Sequence, residues 1–179
     1  NRKSSWRAFC PFFNWAERSC FKSRRSGICS IYAWILSATR NTGTDSSGGG
    51  RMIDWTTIIH FKKDEFLRPE LLRPNMILML DELRGQYGKP LIVSSSWRDP
   101  DRNAQVGGVS DSSHLVAQDG FYSGIDLTTP ANVFTKREFY LITKAAYACG
   151  FRRIGLYKDY KHIHLDVEFR LDQEVQWID

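Results

Sequence analysis

Two of the chain's four histidines stand two residues apart in the run Tyr160-Lys-His-Ile-His-Leu-Asp-Val-Glu168. The run alternates polar and apolar residues, which is the period of a half-buried β-strand. Ile163, Leu165 and Val167 would face a core, and His162, His164 and Asp166 would share the opposite face. Imidazoles and carboxylates are the groups that ligate metal ions and move protons near neutral pH. A plain solvated strand could carry the same residues, so the chemistry depends on what else the chain brings to them.

A catalytic zinc needs three protein donors and one position left open. His164 offers one nitrogen. The histidines outside this strand are His60 and His114. His114 follows the flexible stretch Gly107-Gly-Val-Ser-Asp-Ser-Ser113, and Asp126 lies in the run Gly124-Ile-Asp-Leu-Thr-Thr129 just beyond. A His/Asp/His set would leave the fourth position to solvent. Spacing alone keeps this as one reading among others, because isolated His and Asp residues are common.

The elements that must position these groups can be read in outline. Trp55 to Phe61 reads as a short strand or extended lead-in, and Lys63-Asp-Glu-Phe66 as a helical turn ended before Pro69. Pro74 starts an amphipathic helix to about Gln86, with Gly88 and Pro90 as stop signals. Leu91 to Trp97 is a strand that turns polar at its end, and Asp99-Pro100 caps a short helix through Gln105. Thr135-Lys-Arg-Glu138 is a capping box before a helix to Cys149, closed by Gly150. Ile154 to Lys158 and Lys161 to Glu168 complete the strands. Helices and strands in irregular order predict an α+β domain with a small antiparallel sheet and flanking helices.

Composition divides the chain at about residue 51. Residues 1–51 hold nine Lys/Arg against two Asp/Glu, or +7, and residues 52–179 hold sixteen against eighteen, or −2. The basic balance therefore belongs to the extension, and the remainder gives no electrostatic argument for nucleic acid. Cys10, Cys20 and Cys29 match no zinc-knuckle spacing, and Cys149 reads as a buried small hydrophobe. The apolar run Ile31 to Leu36 is too short to span a membrane, and no signal peptide is evident. Asp45-Ser-Ser-Gly-Gly-Gly50 reads as a linker. Met52 is read as the natural start and residues 1–51 as translated leader, since Gly-Gly-Gly-Arg can be encoded by a purine-rich ribosome-binding sequence. The alternative is a basic arm for an anionic surface.

Several runs together carry a resemblance: Ser94-Ser-Ser-Trp-Arg98, Asn103-Ala-Gln-Val-Gly-Gly108, Ser112-Ser-His114, Gly124-Ile-Asp126-Leu, Ile154-Gly-Leu-Tyr157 and His162-Ile-His164-Leu-Asp166-Val. In this order they resemble the zinc D-Ala-D-Ala carboxypeptidase family, within the lysostaphin and hedgehog-like metallopeptidases. The nearest likeness is to small phage-encoded cell-wall peptidases, over roughly residues 57–179. The resemblance implies a hedgehog/DD-peptidase-like fold in a domain spanning 52–179. It also implies one Zn2+ ion held by His114, Asp126 and His164. Arg98 would hold the substrate carbonyl or carboxylate, Ser112 would touch substrate or its loop, and His162 would assist the attacking water or the transition state. The implied substrate is a peptidoglycan peptide, and the implied protein is a monomer made in the cytoplasm and acting on the cell wall.

Two departures from the family pattern stand out. Relatives usually place the aspartate closer to the first histidine, whereas Asp126 lies twelve residues after His114. Asp119 therefore competes as a ligand, although its Asp-Gly setting looks like a turn. Many relatives also carry an acidic residue at the position of Lys161. Asp159, His162 and Asp166 remain as candidates for the general base; His162 fits best, and Asp166 can instead orient a ligand histidine. The competing function is a zinc-containing wall-binding module without catalysis.

Overall fold

A computed structural model describes residues 53–178, all within one compact unit. The basic extension with its three cysteines, its apolar run, the linker and Met52 lie outside the described residues. Helix α1 (Pro74–Tyr87) begins on a proline and stops at Gly88, whose left-handed backbone (φ 69°) returns its N–H to the Arg84 carbonyl. Its Met76, Ile77, Leu80 and Leu83 are all fully buried along one face. The short helix α2 (Pro100–Gln105) is capped by Asp99, which accepts from the Arg102 N–H at 2.8 Å. Helix α3 (Lys136–Ala148) opens on the Thr135/Glu138 capping box and buries Phe139, Ile142, Ala145 and Ala146.

Five strands form one sheet: β1 (Ile92–Ser95), β2 (Gly124–Thr128), β3 (Arg153–Leu156), β4 (Ile163–Asp166) and β5 (Val175–Ile178), in the order β1-β2-β4-β3-β5. The domain is α+β, as the sequence predicts. All neighbours are antiparallel except β3 and β5, which run parallel at the edge. Of the short strand or extended lead-in expected at Trp55 to Phe61 no strand forms: Asp54 accepts from the Thr56 N–H and starts a 3-10 turn over Trp55–Thr57, after which Ile58 is extended. The expected strand Lys161–Glu168 is shorter at both ends.

The sheet separates core from chemistry by simple alternation. Ile125, Leu127, Ile154, Ile163 and Leu165 point to the helices and are completely buried. Burying one such side chain stabilises the fold by about 1.5–3 kcal/mol, so this face fixes the register firmly. Register in turn sets Asp126 directly opposite His164, and Gly155 opposite His164 on the other flank. A slip of one residue would send both ligating groups into the core.

Two close approaches complete the frame. The Ser113 carbonyl accepts from the N–H groups of Ser123 and Gly124 at 2.9 and 2.8 Å, and the Arg98 N–H donates to the His114 carbonyl at 3.0 Å. These bonds stitch the 107–114 loop to the ends of β1 and β2. A Cβ at Gly124 would come within 2.3 Å of Ser113 Oγ, so only glycine lets the loop lie this near. Likewise, a Cβ at Gly155 would meet the Trp177 ring at 2.8 Å.

Candidate metal centre

The sheet and the stitched loop bring three donor atoms into a small triangle. His164 Nδ1 lies 2.8 Å from Asp126 Oδ1 and 3.2 Å from His114 Nε2, and that nitrogen lies 3.3 Å from Asp126 Oδ1. All three residues are buried. Nitrogen and oxygen donors about 2.0–2.1 Å from a tetrahedral zinc sit roughly 3.3 Å from one another, so the spacing fits such an ion. The remaining nitrogens agree. His114 Nδ1 is 2.6 Å from the Ser96 carbonyl, which can only accept, so Nδ1 carries the proton and Nε2 presents its lone pair. His164 Nε2 faces Asp166 Oδ2 and Ser113 Oγ, both at 3.2 Å, which leaves Nδ1 to the triangle. A histidine ligand whose second nitrogen is tied to a carboxylate or carbonyl is the usual arrangement around metals.

Charge follows the same geometry. Burial alone would raise the Asp126 carboxyl, but its hydrogen bonds with His114 and His164 outweigh that and hold it far below the usual range. Burial also opposes charge on His164, yet Asp126 and Asp166 on either side raise it to about 9. His114 is lowered, chiefly by burial, and stays neutral. Without a metal, the site therefore holds one proton beyond those of two neutral imidazoles at neutral pH, on His164. A divalent ion must displace it, so affinity should fall about tenfold per pH unit below 9. Calorimetry at pH 7 in buffers of differing ionisation heat should show about one proton released per ion bound. A heat independent of buffer would contradict this protonation state.

A cavity of about 600 Å³ opens onto the triangle, lined among others by Arg98, Ser112, His114, Tyr157, His164 and Trp177. Arg98 reaches it from the end of β1, donating from Nη2 to Asp126 Oδ2 at 2.6 Å and from Nε to Ser95 Oγ at 2.9 Å. Ser112 Oγ accepts from the His114 N–H at 3.4 Å. Asp119 lies elsewhere, in an exposed turn paired with Arg73 at 2.6 Å, so the donor that joins the histidines is Asp126.

The polar face of β4 divides differently from the simple alternation. His164 and Asp166 share the site, whereas His162 precedes the strand and stacks on Tyr157, ring centroids 3.8 Å apart. No hydrogen bond among the described residues joins it to the donor triangle. Lys161 pairs with Asp159 at the surface, 3.0 Å apart. Sequence reasoning missed Arg153, which bonds Asp166, and the placement of Trp177, whose ring centroid lies 5.5 Å from that of His164. The strand that carries Trp177 was itself unread.

The family model described as Peptidase M15 matches residues 37–166, a span that contains His114, Asp126 and His164. The match begins ahead of Met52 and stops before β5. No curated protein matches the chain.

Proposed function

The chain belongs to the peptidase M15 family of zinc-dependent metallopeptidases, and on that premise we propose that it hydrolyses peptide bonds of bacterial peptidoglycan. It acts as a D-Ala-D-Ala carboxypeptidase or an endolysin-type endopeptidase, a monomer on the cell wall, with residues 52–179 as the peptidase domain. The observation that carries it is the buried His114–Asp126–His164 triangle opening onto a cavity that also holds Arg98. No helix of the described residues is long and apolar enough to cross a membrane.

His114, Asp126 and His164 would hold the zinc. A bound zinc supplies Lewis-acid polarisation of a carbonyl and lowers the pKa of water towards neutrality. The rest falls to side chains. Arg98, fixed in plane by Ser95 and Asp126, presents a cation to the cavity where negative charge grows on the scissile carbonyl. Ser112 braces the ligand loop and faces substrate. Asp166 is spoken for by three hydrogen-bond donors, Arg153, the Glu168 N–H and His164, which suits it to orienting His164. Proton transfer is assigned to His162, which packs on the cavity-lining Tyr157. His162→Ala should lower kcat about 100-fold, the low end for general acid–base groups, and leave zinc affinity unchanged. An unaltered kcat would move that role to another group.

Zymography on purified cell walls tests the whole reading. Clearing that is lost with a chelator and restored by zinc supports the enzyme, and mass spectra of the released muropeptides identify the bond cut. Zinc uptake without any cleavage would favour the wall-binding module instead.

A further inference from the structure

Arg153 opens β3, where the register sets it directly opposite Asp166. Its side chain is only 11 % exposed. Nε donates to Asp166 Oδ1 at 2.8 Å, Nη1 donates to the Asp172 carbonyl, and the guanidinium lies over the Trp177 ring at 5.6 Å. Asp166 takes a second bond from the Glu168 N–H at 2.9 Å and turns its other oxygen to His164 Nε2. Burying a carboxylate to 2 % exposure is costly unless it is paired and hydrogen-bonded. Arg153 is the cation that pairs it.

We propose that Arg153 is a positioning residue for the metal: it holds Asp166 against Nε2 of His164 and so fixes the imidazole with Nδ1 facing His114 and Asp126. This rests on the reading of His164 as a ligand. Charge alone does not suffice, because two acceptors, Asp166 and the Asp172 carbonyl, are met at once by the planar fork of a guanidinium. The same fork ties the segment before β5 to the ligand strand. The orientation of His164 thus depends on a residue outside the donor triangle.

Zinc affinity, read by competition with a chromophoric chelator, tests this on the full chain without any activity assay. Arg153→Met and Asp166→Asn should each weaken zinc binding by about 10- to 100-fold, with Arg153→Lys in between. The double variant should be no more than about threefold weaker than Asp166→Asn alone, since both act through one contact. Wild-type affinity in Arg153→Met, whatever its melting temperature, would overturn the proposal, as would losses that multiply in the double variant. Should Arg153→Met fail to fold, the 15N signal of His164 Nε2 in zinc-loaded Arg153→Lys decides. A shift towards a weaker hydrogen bond supports the role, and an unchanged signal refutes it. A wild-type chain that takes up no zinc would remove the proposed function and this inference together. A chain that binds zinc but is indifferent at Arg153 removes this inference alone.

Discussion

Alanine at His114 or at His164 is expected to abolish the proposed cell-wall hydrolysis and to bring bound zinc well below one ion per chain. Each imidazole supplies one corner of the donor triangle, and the atoms left behind are too few to hold an ion that keeps a site for solvent. Even the outer partners of a ligand are worth about 10- to 100-fold in affinity, so loss of a ligand should exceed that. His60→Ala is the control. His60 is exposed and lies against Gly85 of α1, outside the triangle. Metal analysis after dialysis, with circular dichroism to confirm the fold, reads the result. Equal loss in all three variants, or full activity in His164→Ala, would show that the ligands have been misassigned.

Replacing Arg98 by methionine should lower kcat/KM roughly 100- to 1,000-fold, the range for removing one preorganised donor to a developing oxyanion. Its geometry gives two reasons. The guanidinium stands in the cavity beside the triangle, and its Nη2 also braces Asp126 Oδ2. Kinetics at saturating zinc separate the two. A defect that persists there belongs to the substrate or transition state, whereas a defect that zinc repairs belongs to the ligand. Lysine at this position keeps a charge but cannot reach Ser95 and Asp126 together in one plane, so recovery should be partial. Wild-type kcat/KM in the methionine variant at saturating zinc would limit Arg98 to supporting Asp126.

Alternation made His164 legible as a group on the polar face of a strand, whereas His114 and Asp126 were joined to it by the family resemblance. What alternation could not decide was Asp119 against Asp126. That choice turns on Arg73, 46 residues upstream in the chain, which pairs with Asp119 and holds it in its turn. His162 shows the opposite limit. Its period placed it beside His164, but β4 begins only at Ile163, and before the strand the two-residue rule no longer governs direction. β5 went unread because Val175–Ile178 is four residues long, half-exposed at the sheet edge, and paired in parallel to β3. Arg153 lies one residue ahead of the strand expected at Ile154 to Lys158 and carries no signal of its own. Only the pairing of β3 with β4 turns it towards Asp166.

Asp126 and His164 are bound to each other through a ladder of main-chain hydrogen bonds, and His114 hangs from the same ladder by its loop. The amides of β2 and β4 should therefore be among the slowest in the domain to exchange with deuterium, with or without an ion. Small zinc fingers unfold when stripped of their metal. Here the ladder is made of main-chain bonds alone, so a chelator is expected to leave the far-ultraviolet circular dichroism unchanged, and one divalent ion could then be traded for another on a chain still folded.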